Sequence, residues 1–137
     1  MATADDFQTF ARMLLGRGAT QGVRVLSRTS VEAMSTDTLT PEQHELPFSS
    51  FDRYDLDGST MWRNRGFGLG VSVRTRRVGF GPNVGALWWP GSFGTSWIAD
   101  PKERLAATVF TQVCNSNPFY TMFAEDVFSG LYHAIDD

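Results

Sequence analysis

The stretch from Leu87 to Gln112, LWWPGSFGTSWIADPKERLAATVFTQ, constrains the fold more than any other part of the chain, because it reads as a complete β-hairpin. Thr95 to Ala99 and Leu105 to Gln112 are rich in β-branched and aromatic residues. Between them, Asp100, Pro101, Lys102, Glu103 and Arg104 supply the polar chemistry that reverses a chain. Two antiparallel strands are therefore expected. Upstream, Gly91 and Gly94 bracket Ser92 and Phe93, so the backbone beside the first strand has few Cβ atoms to hold another backbone or a ligand away.

The remaining elements can be placed around this hairpin. Thr3 can cap a helix whose Phe7, Phe10, Ala11, Leu14 and Leu15 fall at helical spacing, with Asp6 three residues after the cap and Gly16 and Gly18 ending it. Ser27 can cap a second, short helix carrying Val31 and Met34, and Pro41 then breaks the chain. The polar segment 41–66 reads as a long connection, which in a compact domain is usually functional or mobile. Phe67 to Arg74 alternates as a strand, and a second strand is expected from Val84 to Trp88. Over 117–135, Asn117 can cap a last helix with Pro118 in its first turn. Its apolar stripe would be Phe119, Met122, Phe123, Val127, Leu131 and Ile135. The expectation is a single partial domain over 1–137. It has two helices in 1–40, three or four antiparallel strands in 67–113, and a C-terminal helix across the sheet.

Composition narrows the function classes. The chain has 137 residues, 42% hydrophobic and 20% charged, which suits one globular domain. A net charge of −3 argues against a nucleic acid partner. The cluster Arg74, Arg76 and Arg77 reads as a solvated strand end or turn. Cys114 is the only cysteine, so no internal disulfide can form, and its place after an apolar strand makes it a small buried hydrophobe. No apolar run is long enough to span a bilayer, and the first residues lack a signal peptide's basic and apolar blocks, which leaves localisation open. Asp52, Asp55, Asp57 and Gly58 invite a calcium reading. Placing Asp55 and Asp57 at loop positions three and five, however, puts Arg53 and Asn64 where the first and the bidentate carboxylates are needed. His44 and His133 belong to no metal or nucleophile motif, and His133 suits a helix C-terminus. No metal and no cofactor is expected.

In wording and order, Trp89-Pro90-Gly91-Ser92, Gly94-Thr95, Asp100-Pro101 and Leu105 to Gln112 resemble the end of the serine β-lactamase-like superfamily. That group holds class C β-lactamases, penicillin-binding DD-peptidases and serine esterases. Thr3 to Leu15 and Gly22 to Ser27 resemble the family's helix, loop and second short helix, so the likeness covers most of the chain. It implies an α/β (α+β) fold, an antiparallel sheet flanked by helices, as the C-terminal part of the β-lactamase/transpeptidase-like fold. It also implies acyl transfer on a small-molecule amide or ester. The family's third motif would be Trp89, Pro90, Gly91 and Ser92 on a strand lining the acyl pocket. There the Ser92 N–H would polarise the substrate carbonyl together with the N–H of the nucleophilic serine. Many β-lactamases place Lys where this chain has Trp89, and tryptophan cannot supply that charge to a substrate carboxylate, which favours an esterase-like member.

The chain departs from the family at the nucleophile. A Ser-x-x-Lys pair needs a lysine three residues after a serine, and the only lysine, Lys102, follows Ala99 at that distance. Tyr54, Tyr120 and Tyr132 are followed two places on by Leu56, Met122 and Ala134, which excludes Tyr-x-Asn. No catalytic residue is therefore expected in these 137 residues. The implied protein is the C-terminal portion of such a hydrolase, inactive alone, which seeks its missing N-terminal catalytic half or self-associates. The alternative is a non-catalytic binding or assembly module built on the same fold.

Overall fold

The computed structural model of the chain describes residues 2–45, 64–113 and 119–135. Thr3 caps helix α1 (Ala4–Leu15) and closes a capping box, its hydroxyl accepting from the Asp6 N–H at 3.1 Å while the Asp6 carboxylate accepts from the Thr3 N–H at 2.9 Å. These hydrogen bonds hold the Asp6 carboxyl below the usual carboxylate range. Arg17 and Gly18 end the helix with positive φ, and the Gly18 N–H reaches back to the Met13 carbonyl at 2.9 Å. Immediately after, Ala19–Thr20 (β1) and Val23–Arg24 (β2) form a two-stranded ribbon. Gln21 and Gly22, both at positive φ, make its tight turn. Helix α2 (Arg28–Met34) starts at the expected Ser27 cap. Pro41 does not simply break the chain: it opens a short helix α3 (Pro41–His44) under a Thr40–Gln43 capping box, because proline at the first helical position loses no hydrogen bond.

A five-stranded antiparallel sheet runs in the order β3 (Arg65–Phe67), β4 (Ser72–Arg74), β5 (Leu87–Pro90), β6 (Thr95–Asp100), β7 (Leu105–Phe110). The sequence pattern over Phe67 to Arg74 implied one strand, and the structure has a hairpin there instead. Phe67 pairs with Ser72 across residues 68–71, because Gly70 takes φ +85 and turns the chain. The strand expected from Val84 begins later, at Leu87, and Val84 is exposed.

Strand alternation then sends successive side chains to opposite faces. Val73, Leu87, Trp97 and Ala99 pack with Ala11, Met13 and Leu14 of α1 and Val31 of α2. Phe7 and Phe10 meet the Trp97 ring at 5.8 and 5.7 Å between centroids, the tilted and edge-on arrangements that aromatic quadrupoles favour. Gln8 of α1 also donates to the Ala106 carbonyl at 2.8 Å, tying the helix to the edge strand. On the other face, Ala86 and Ile98 pack with Phe128 of helix α4 (Phe119–His133), bordered by Ala124, Leu131 and Tyr132. This corrects the expected stripe of the last helix. Phe123 and Ile135 are exposed, and positions 124, 128, 131 and 132 carry the buried face. Apolar residues all around α4 offered two stripes at helical spacing, and the sheet selects one. Cys114, Asn117 and Pro118 lie outside the described residues, as do Asp52, Asp55, Asp57 and the side chains of Phe119 and Met122.

Candidate functional site

Trp89-Pro90-Gly91-Ser92 sits where strand β5 ends and turns back into β6. Trp89 pairs across the ladder with Trp97, and Pro90 pairs with Ser96. The reversal is narrow. The Gly91 N–H donates to the Thr95 carbonyl at 2.6 Å, and the Gly94 N–H donates to the Gly91 carbonyl at 3.1 Å. Ser92 and Phe93, between those bonds, are exposed, and the Ser92 N–H makes no hydrogen bond among the described residues. An N–H held at a rigid strand end and not engaged within the fold is what an oxyanion donor requires.

Two glycines shape this turn for different reasons. Gly91 does not adopt a positive φ, so no backbone angle excludes a side chain there. What a Cβ on Gly91 would overlap is the hydroxyl of Thr95, with the Thr95 carbonyl oxygen 3.6 Å away. Gly94 is the stricter position. It takes φ +89, and a Cβ would overlap the Thr111 hydroxyl and come to 2.9 and 3.0 Å from the Val113 backbone N and O. The Thr111 N–H and hydroxyl both donate to the Gly94 carbonyl at 2.9 Å, locking the turn to the end of β7.

Trp89 is half-buried at the margin of the α1 face, its ring 5.0 Å edge-on from Phe67 and 6.2 Å from Trp88. Trp88 belongs to the α4 face. Its indole N–H donates to Ser96 Oγ at 3.1 Å, and the Arg65 guanidinium lies 4.2 Å over its ring. The cleft beside Pro90, Gly94 and Thr95 holds only about 10 Å³ in this chain.

Sequence reasoning missed two polar clusters near this strand. Asp37 accepts from the backbone N–H groups of Leu39 and Phe67, both at 3.1 Å, and its second oxygen meets His44 Nε2 at 2.8 Å. It thereby anchors the segment after α2 to β3, where Gly66 leaves room for the carboxylate. At the far end of β6, Asp100 is fully buried and accepts from Asn83 N and Nδ2 at 2.9 Å, Tyr132 Oη at 2.6 Å and Lys102 N at 2.9 Å. Burial raises the Asp100 carboxyl, but the hydrogen bonds from Tyr132, Asn83 and Lys102 outweigh it and hold the group below the usual range. Burial, followed by the hydrogen bond and charge of Asp100, pushes the Tyr132 phenol far above its ordinary value. An aspartate before a proline is a turn signal in sequence, but its partners 17 and 32 residues away leave no local trace.

Of the other positions weighed from sequence, Arg74 ends β4 while Arg76 and Arg77 are exposed in the next loop. His133 is the last residue of α4, its ring 5.3 Å from Phe80. Among the described residues, no group of three or more His, Cys, Asp and Glu could hold a metal ion, and no helix is long and apolar enough to cross a membrane.

With this geometry in place, comparison with known proteins is informative about the fold. No family model matches the chain. It is 46% identical over 118 residues to two proteins from strains of Mycobacterium tuberculosis, Protein Rv1367c and the uncharacterized protein MT1414. The match takes in 82% of this chain and 27% of each relative, so the chain spans about a quarter of the length of the curated relatives it matches. Among solved structures it is similar to unliganded simvastatin synthase (LovD) from Aspergillus terreus. The TM-score is 0.70 at 21% identity, covering 93% of this chain and 33% of that one. It is also similar to EstCE1, described as a hydrolase with promiscuous acyltransferase activity, with TM-score 0.64 at 20% identity over 94% of this chain and 30% of the other. The chain therefore has the α+β fold of the C-terminal part of the β-lactamase/transpeptidase-like serine hydrolases.

Proposed function

We propose that this chain, which carries the C-terminal part of a β-lactamase-like serine hydrolase fold, supplies the pocket strand of an acyl-transfer enzyme acting on an ester or amide. In this reading Trp89, Pro90, Gly91 and Ser92 are the third motif. The Ser92 N–H donates to the substrate's carbonyl oxygen as negative charge develops on it, and the half-buried Trp89 ring gives the acyl pocket an apolar wall. The nucleophilic serine and its base lie outside these 137 residues, because no Ser-x-x-Lys can be written within them. The chain alone is then inactive. The observation that carries this reading is the exposed Ser92 N–H, which makes no hydrogen bond within the described fold and sits at the end of the strand that the family uses for this purpose.

The test compares the isolated chain with a chimera in which it replaces the matching 118 residues of Rv1367c. The isolated chain takes no fluorophosphonate label and does not turn over p-nitrophenyl butyrate. The chimera does both, and Gly91→Val, which displaces the Ser92 N–H, cuts its turnover roughly a hundredfold, the usual cost of one oxyanion donor. Ester turnover by the isolated chain that Ser92→Ala abolishes would overturn the assignment of the nucleophile. A chimera indifferent to Gly91→Val would transfer the chain to the non-catalytic alternative.

A further inference from the structure

On the α4 face of the sheet, away from the Gly91–Gly94 turn, lies a half-open cavity of about 320 Å³. Its floor is sheet, with Ser72, Trp88 and Ile98, and its wall is α4, with Phe128. Residues 78–82 form its roof, in which Phe80 stands between Gly79, at φ +57, and Gly81. The roof rests lightly on the helix. Ser129 Oγ donates to the Phe80 carbonyl at 3.4 Å, the Phe80 ring leans on His133, and Phe80 is 76% exposed. A cavity of this size inside so small a fold is not what close packing produces, and it lies at the lower end of the range of ligand pockets.

We infer that this cavity is a binding site for a small, uncharged aromatic alcohol, independent of the acyl-transfer reading above. Val78, Phe80, Trp88, Ile98 and Phe128 offer an apolar slot for a body of about ten non-hydrogen atoms. The charged groups at its margin are already engaged. Arg65 lies 4.2 Å over the Trp88 ring and pairs with Glu125 at 3.5 Å, Arg74 acts on the Tyr132 phenol, and all three have further partners in the fold. A charge brought in from water would find its counter-charges committed elsewhere, and an uncompensated charge in an apolar site is costly. The ligand is therefore neutral. Its one polar group is set by the floor, where Ser72 stands opposite Trp88 in the β4–β5 ladder and so shares the cavity side of the sheet. Ser72 is 1% exposed and its hydroxyl makes no hydrogen bond, which native interiors rarely tolerate. A ligand hydroxyl answers it in either direction, since each of the two O–H groups can donate or accept.

Amide NMR titration of the 137-residue chain with 3-phenylpropanol, its charged counterpart 3-phenylpropionate and the hydroxyl-free toluene reads this directly. The alcohol should bind with a dissociation constant of about 1 mM, moving the Gly79 and Gly81 amides and the Trp88 indole signal, and the carboxylate should bind roughly tenfold more weakly or worse. Ser72→Ala should weaken the alcohol about fivefold, leave toluene unchanged, and melt no lower than the parent, because it deletes a hydroxyl that the fold does not use. Ser129→Trp, placed on the helix rim so that its ring fills the mouth, should abolish binding of all three while the far-ultraviolet circular dichroism stays that of the parent. Acid binding as well as alcohol, or a Ser72→Ala variant that weakens alcohol and toluene equally or neither, overturns the assignment. If no ligand moves these signals and they instead shift with chain concentration, the cavity belongs to a contact with a second copy and the proposal fails.

Discussion

The two ends of strand β6 are built on opposite plans. At the Asp100 end, one buried carboxylate accepts five hydrogen bonds, from Asn83 N and Nδ2, Tyr132 Oη, Lys102 N and Glu103 N, at 2.6 to 3.4 Å. Every lone pair is engaged, and the reward is structural: the β6–β7 turn, the loop before β5 and the C-terminal helix are fastened at one point. At the Thr95 end, the turn is made of backbone and glycine, Ser92 and Phe93 are exposed, and the Ser92 N–H makes no hydrogen bond among the described residues. A strand that is anchored at one end can hold the other end rigid without covering it. Chemistry is available where the hydrogen-bonding groups have not been consumed by the fold.

The comparison breaks most decisively at Asp100. Asp100→Ala leaves two buried N–H donors on Asn83 and a phenol on Tyr132 without their acceptor, and should lower stability by about 4 kcal/mol in urea melts. A loss under about 1 kcal/mol would mean that the network is replaceable by water. Next in size is Gly94→Ala at the open end, where a positive φ combines with overlap against Thr111 and the Val113 backbone. Its cost should be about 3 kcal/mol, and a variant melting like the parent would show that the turn is not locked to β7.

Tyr132→Phe separates the two plans by pH. It removes one donor to a charged acceptor and should cost about 2 kcal/mol at neutral pH. The Asp100 carboxyl is depressed in the fold, so its stabilisation is present above its unfolded value of about 4 and is lost as pH falls through the folded value. The parent and Tyr132→Phe should therefore converge in stability as the pH is lowered from 6 through that range. A gap that stays constant would remove Asp100 from the account.

Much of this arrangement was legible in sequence where the causes are local. The Thr3 cap with Asp6, the Ser27 cap and the hairpin around Asp100 and Pro101 each rest on residues within a few positions of one another, and each appears in the structure. The reading failed where a distant partner decides. Phe67 to Arg74 alternates well enough for one strand, yet pairing of Phe67 with Ser72 folds it into a hairpin. The last helix offers two apolar stripes, and only contact with Ile98 and Ala86 selects the one through Phe128. The order of the residues singled out Trp89 to Ser92 as the candidate, but the stricter demand at Gly94 depends on Thr111 and Val113, 17 and 19 positions downstream.

The smallest effect sharpens the comparison at the candidate site itself. Gly91 could have been needed for its backbone angle, and the structure assigns a different cause, the Thr95 hydroxyl lying where a Cβ would go. A threonine side chain can rotate or be trimmed, whereas a positive φ cannot be relieved by a neighbour. Gly91→Ala should therefore cost only about 1 kcal/mol. In a Thr95→Ala background, which removes that hydroxyl, the same change should cost almost nothing. The analogous rescue should fail at Gly94, where Thr111→Ala removes one overlap and leaves both the φ of +89 and the Val113 backbone in place. A double-mutant cycle on thermal melts gives the two coupling energies. If Gly91 and Thr95 prove additive, the close approach is not what keeps glycine at this position, and the open end of β6 is shaped by something other than the side chain facing it.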